Sequence, residues 1–123
     1  MPIQFTFDSE RHRAKASAHG LVSYEEIGAH LSHERDARLL SRPQLIDATH
    51  VTPTLTPAQA RGLVSILLSL GAEHALGPSA VVVGSDLAYG MMRMVEILSE
   101  DVCQIRPFRS RAEAEVWLAS LHS

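Results

Sequence analysis

The chain has 123 residues, of which 46% are hydrophobic and 20% charged, and this composition is typical of one folded domain spanning residues 1–123. Eleven Lys and Arg against fourteen Asp and Glu give a formal net charge of -3, which argues against a nucleic-acid partner. No apolar run approaches the ~20 residues of a membrane span. The N-terminus lacks a signal-peptide pattern and Cys103 is the only cysteine, so we expect a cytoplasmic protein.

The N-terminal segment predicts a β-hairpin. Apolar and polar residues alternate over residues 3–7 and again over residues 13–19, and the sequence DSER between the two runs supplies turn residues. The apolar positions of the second run are all alanine: Ala14, Ala16 and Ala18. Such small side chains predict that a neighbouring element packs closely on this strand.

The first helix is predicted to begin at Ser23, because Ser23 and Glu26 have the spacing of a capping box. Its apolar stripe is narrow, which predicts a surface helix with its charged residues in water. His30 and His33 lie three residues apart beside Glu34, but structural zinc needs four ligands. We therefore expect a solvated polar face here, and no metal.

The middle of the chain predicts a short buried strand, QLIDA, followed by a loop and a long helix. Thr56 and Gln59 form a second capping box, and Pro57 suits the first helical position. Gly71 is predicted to end this helix in a left-handed cap. The helix carries many leucines and should be the most buried of the set.

Residues 80–83, AVVV, form an unbroken apolar run typical of a central strand covered on both faces. The following GSDLAYG has neither the spacing of a phosphate-binding loop nor that of a nucleophile elbow. Ser85 or Asp86 is therefore predicted to cap the next helix. A short strand at VCQI and a last helix opened by Ser110 and Glu113 complete the chain.

Strands alternate with helices after the hairpin, which predicts an α/β fold with a mixed sheet of four to five strands. The segments AVVVGSDLAYGMMRMVEIL and PFRSRAEAEVWL resemble STAS-like proteins related to the sporulation anti-sigma-factor antagonist. That resemblance implies one small α/β domain with helices mainly on one face of the sheet, and no enzyme activity.

In the regulatory branch of the STAS-like family, a kinase phosphorylates a serine of an Asp-Ser-Ser stretch at the start of the second main helix. The matching place in this chain reads TPTLTPAQA, without Asp-Ser-Ser. Thr54 and Thr56 are the candidate phosphoacceptors there, since a phosphate is favoured at a helix N-terminus. Thr56 is also the predicted helix cap.

The leading hypothesis is a non-enzymatic STAS-like domain that binds a protein partner or forms a homodimer. No catalytic, cofactor-binding or metal-binding residue is assigned, and no cofactor is expected. The proposed contact surface lies at the carboxyl ends of the strands. Its candidate residues are His50, Ser85, Asp86, Tyr89 and Met92.

Two further hypotheses remain open. The first is a carrier of a small amphipathic or lipid-like ligand, held between the sheet and the helix that carries Met91, Met92 and Met94, because small residues opposite adaptable ones can leave a cavity. Independently of these hypotheses, Met92 lies outside the helical stripe of Met91 and Met94 and is expected to be exposed. The second is a hydrolase or metal enzyme that uses Asp47, His50 and Ser85, which requires these side chains to converge.

Overall fold

The computed structural model describes residues 3–52 and 55–121. In these ranges five strands form one sheet in the order β1-β2-β3-β4-β5, and β1 is antiparallel to β2 while the other neighbours are parallel. This arrangement confirms the predicted α/β fold with an N-terminal hairpin. The strands are β1 (Ile3–Asp8), β2 (Arg13–Leu21), β3 (Gln44–Thr52), β4 (Ser79–Val83) and β5 (Ile105–Phe108), and the helices are α1 (Tyr24–Asp36), α2 (Pro57–Glu73), α3 (Asp86–Leu98) and α4 (Arg111–Ser120).

The two faces of the sheet are covered differently. Helix α4 packs on one face, where Leu118 and Ala114 contact a cluster that includes Leu45 and Phe108. Helices α1, α2 and α3 cover the other face and form a second cluster around Leu63 and other apolar side chains. Three helices therefore lie on one face and one on the other. The interior strand β4, which pairs with β3 and β5, is buried at residues 80–83, as its apolar run predicts.

Local capping sets the start of each helix. Ser23 and Thr56 both form complete capping boxes, as predicted. Ser85, rather than Asp86, caps α3, since its hydroxyl accepts a hydrogen bond of 3.1 Å from the Ala88 amide. The Ser110 hydroxyl accepts a longer bond of 3.3 Å from the amide of the third helical residue of α4.

Three predicted element ends are wrong. Strand β3 continues past QLIDA to Thr52, where a loop was predicted. Gly71 does not end α2, which continues to Glu73; a Cβ at Gly71 would lie 2.7 Å from the Cβ of Val102, so glycine serves close packing there. VCQI is not the last strand. The Val102 and Cys103 amides both donate to the carbonyl oxygen of Ser99, at 3.0 and 3.1 Å, which holds them in a turn, and β5 begins only at Ile105.

Candidate functional site

A cavity of about 430 Å³ lies between the sheet and helices α1, α2 and α3. Its floor is one face of the sheet, where Ala16, Ala18 and Ala48 leave room above the strands. Met91 and Met92 of α3 contribute to the opposite wall. The volume falls within the range of small-molecule sites, roughly 300–1,000 Å³. The carrier hypothesis predicted a cavity in this position from three alanines and three methionines; Ala14 and Met94 are not among its lining residues.

The cavity opens at the carboxyl ends of the parallel strands. Thr52, Pro57 and Leu87 line it there and are exposed, Leu87 to 66%. Lining residues at the other end of the strands are buried, as Gln44 is, or half-buried, as Ser79 and Ile105 are. The exposed residues therefore mark the mouth, and the buried ones mark the inner end.

The inner end contains a carboxylate. Glu34 of α1 lines the cavity and is 0% exposed, so its predicted place on a solvated face is wrong. The reason lies in helical spacing, because Glu34 follows Leu31 by three residues and Ile27 by seven and so extends the apolar stripe of α1. That spacing was the available signal in the sequence, and the charge of Glu34 obscured it.

His30 accompanies Glu34 one helical turn earlier. Its side chain is 13% exposed, and its Nε2 lies 3.0 Å from Oε1 of Glu34. Within the described part of the chain, neither Glu34 oxygen nor His30 Nε2 makes a hydrogen bond of good geometry. His30 and the exposed His33 both contact the Phe5 ring edge-on, with ring centroids 5.6 and 5.8 Å apart.

Cys103 lines the same cavity. Its thiol is half-buried, and Sγ donates a hydrogen bond of 3.7 Å to the carbonyl oxygen of Ser99. Burial raises the pKa of the Cys103 thiol above its ordinary value. The only cysteine of the chain is thus a chemical probe inside the cavity.

The three residues of the hydrolase hypothesis have separate partners. The Asp47 carboxylate accepts hydrogen bonds from the hydroxyl and amide of Thr49, at 2.6 and 3.1 Å, and lies 3.7 Å from Arg111. The hydrogen bond from the Thr49 hydroxyl is the main reason why the pKa of Asp47 lies below its ordinary value. The Ser85 hydroxyl caps α3, and His50 is exposed on β3. Over residues 3–52 and 55–121 no hydrogen bond joins the three side chains.

Only some residues of the candidate contact surface are exposed to solvent. Asp86 is exposed and pairs with Arg109, and Tyr89 is 37% exposed. Met92 is half-buried and lines the cavity, which corrects its expected exposure. The reason is the width of the helical face turned toward the cavity, since α3 contributes Met91 as well as Met92 to its lining.

Other candidate sites are simpler to place. The Thr56 hydroxyl accepts a hydrogen bond of 3.1 Å from the Gln59 amide at the start of α2. Thr54 lies outside the described residues. In the part of the chain that the structure describes, no group of three or more His, Cys, Asp or Glu side chains could hold a metal ion. Nor is any helix there long and apolar enough to cross a membrane.

Most of the chain can be compared with a solved structure. An uncharacterised protein of the DUF3478 family from Shewanella loihica PV-4, whose crystal structure has a SpoIIAA-like fold, superposes with a TM-score of 0.59. The match covers 94% of this chain and 91% of that one, at 20% sequence identity. This chain has a SpoIIAA-like fold. No family model and no curated protein matches its sequence. The fold agrees with the STAS-like resemblance of the sequence.

Proposed function

We propose that this protein is a non-enzymatic binding domain that carries one small apolar or amphipathic ligand. The observation that supports it is the cavity of about 430 Å³ between the sheet and the helices. A protein core normally has few voids larger than a water molecule, so a space of this size inside a small domain calls for an occupant. The exposed mouth at Leu87 gives that occupant a path from solvent.

The walls define the ligand class. Alanine, valine, leucine, isoleucine and methionine supply most of the lining, and the polar side chains that face it are few. Burying apolar surface contributes about 25 cal/mol per Å² that leaves water, so an alkyl chain or ring system gains affinity along the whole cavity. The methionines have flexible, polarisable side chains that can adapt to such a ligand.

The hydroxyls and carboxylates near the strand ends support a binding rather than a catalytic role. Ser85 has its oxygen engaged as a helix cap, and Asp47 is held by Thr49 on the sheet face that α4 covers. A nucleophile needs a base within hydrogen-bond reach, and among the residues that the structure describes neither of these side chains has one as a hydrogen-bond partner.

Binding of the neutral fluorophore N-phenylnaphthylamine tests the proposal. We expect its fluorescence to rise to a plateau at one molecule per chain. Ala48→Phe, which places a ring in the cavity, should weaken binding at least about tenfold, which is ~1.4 kcal/mol. Ala88→Phe, on the helical wall, provides a second blocking variant.

Ala119→Leu is the matched control, because Ala119 is exposed on α4, on the far face of the sheet. It should bind the fluorophore like the original chain. Fluorescence that never saturates, or that is equal in the blocking and control variants, would show that the probe adheres to the surface and would refute the proposal.

Contact with a protein partner or a second copy is the second candidate function. Leu87 is exposed at the cavity mouth and Tyr89 is exposed on the same turn of α3, and exposed apolar side chains favour an interface. Sedimentation velocity of the original chain and of Leu87→Ser tests self-association. A dimer that Leu87→Ser dissociates would support this function, and a monomer at all concentrations would exclude the homodimer.

A further inference from the structure

Glu34 and His30 are the feature of the cavity that apolar binding alone does not explain. A carboxylate shielded from water is costly unless hydrogen bonds or a counter-charge compensate it. Glu34 is 0% exposed, and neither of its oxygens has a hydrogen bond of good geometry in the described residues. His30 Nε2 is close, at 3.0 Å, yet its hydrogen-bonding capacity is also unused.

The other polar residues of the lining indicate which head groups the cavity favours. Gln44 and Ser79 add neutral polar groups at the same end of the strands as the buried carboxylate. None of the described lining residues is Lys or Arg. An anionic head group would therefore meet a carboxylate without a permanently cationic partner. A donor would meet Oε2 of Glu34, which has no hydrogen-bond partner in the described residues, beside Oε1, which faces His30 Nε2 at 3.0 Å.

We infer that Glu34 and His30 recognise the polar end of the ligand and select apolar molecules whose head group donates hydrogen bonds, an alcohol or an amine, over those with a carboxylate head. This inference rests on the proposed function and names the ligand class of the same cavity. The head group lies against Glu34 at the inner end, and the apolar body extends toward the mouth at Leu87. A hydrogen bond to a charged group is stronger than one between neutral groups, so Glu34 is the main source of the preference.

Three ligands with the same ten-carbon tail test the inference: decanol, decylamine and decanoate. Each is titrated against the complex with N-phenylnaphthylamine at neutral pH and below the concentration at which it forms micelles. We expect decanol and decylamine to displace the fluorophore at least about tenfold more effectively than decanoate. Equal displacement by decanoate would overturn the inference.

Glu34→Gln keeps the shape of the side chain but adds a donor and removes the charge. We expect it to improve decanoate binding and to weaken decylamine binding, so that the preference falls below about threefold. Glu34→Met, which replaces the carboxylate by an apolar side chain of similar length, is the second variant in case the first folds poorly. Glu25→Gln, at an exposed position of the same helix, should retain the original preference.

The outcomes separate the two proposals. If the fluorophore and all three ligands bind without regard to the head group, or if Glu34→Gln and Glu34→Met leave the preference intact, the inference fails while the cavity remains a binding site. If neither the fluorophore nor any of the three ten-carbon ligands binds, the proposed function fails, and the inference fails with it.

Discussion

A missing Cβ lets the chain just after β4 approach the backbone of β3 closely at Gly84. A Cβ at this position would collide with the backbone carbonyl oxygen of Thr49, which cannot rotate away as a flexible side chain would. Gly84→Ala is therefore expected to lower the free energy of unfolding by about 1–3 kcal/mol, the usual cost of overpacking. Urea denaturation monitored by circular dichroism gives the value.

Gly90 provides the matched control for that substitution. It lies inside α3, and a Cβ there would have open space around it. Gly90→Ala should raise the free energy of unfolding by about 0.5–1 kcal/mol, because alanine loses less backbone entropy in a helix. Equal effects of the two substitutions would contradict the close contact between Gly84 and Thr49.

Cys103 reports on the cavity through its reactivity. Burial raises the pKa of its thiol, so at neutral pH a smaller fraction is thiolate than in a free cysteine, and the thiolate is the species that reacts. Alkylation of Cys103 by iodoacetamide should be slower than alkylation of glutathione at pH 7. Its rate should still increase with pH in the range where the rate for an ordinary thiol no longer changes. Saturating decanol should slow it further, since Cys103 lines the cavity. An alkylation rate that decanol leaves unchanged would place the ligand elsewhere.

At the scale of elements, the cap of α3 stands beside the cavity mouth. The Ser85 hydroxyl satisfies one of the free amides of the first turn, and Leu87 and Ala88 of the same turn line the cavity. Ser85→Ala should lower the free energy of unfolding by about 1 kcal/mol, while Ser85→Asp, another good cap, should retain it. Thermal denaturation of the three proteins decides this. A large loss in Ser85→Asp would mean that the hydroxyl has a role other than capping.

The helix starts could be predicted because capping is local. Ser23 and Thr56 each bond to a residue three positions along the chain, so the sequence contains the whole interaction. The end of α2 could not be predicted in the same way. Gly71 resembles a helix stop in sequence, but it is needed where α2 meets Val102, which is 31 positions away. Contacts between elements decide such positions, and a local pattern does not contain them.

At the scale of the whole molecule, the same limit applies to the site. The carrier hypothesis, one of three, predicted a cavity from the small residues of β2 and the methionines of α3, because small residues opposite adaptable ones can leave space between two elements. The sequence did not predict the polar inner end of the cavity, because a glutamate on a short amphipathic helix usually lies in water. Only the tertiary arrangement, with the last turn of α1 over the sheet, shows that Glu34 and Gln44 line the same cavity.

The cavity also links ligand binding to global stability. A ligand that binds only the folded chain raises the free energy of unfolding by about 2.7 kcal/mol at a free concentration one hundred times its Kd. Ala48→Phe fills part of the same space, so we expect it to raise the stability of the unliganded chain by about 0.5–2 kcal/mol and to remove most of the gain that decanol gives. The stabilisation by Ala48→Phe and the stabilisation by decanol should therefore not add.

Urea titrations of the original chain and of Ala48→Phe, each with and without decanol, form a complete cycle. Decanol should move the midpoint of the original chain to higher urea without changing the slope, because the surface exposed on unfolding stays nearly the same. Additive effects of Ala48→Phe and decanol would mean that they occupy different places. Because an unfilled cavity leaves its lining atoms without contacts, the same void that lowers the stability of the free chain provides the free energy with which a ligand is held.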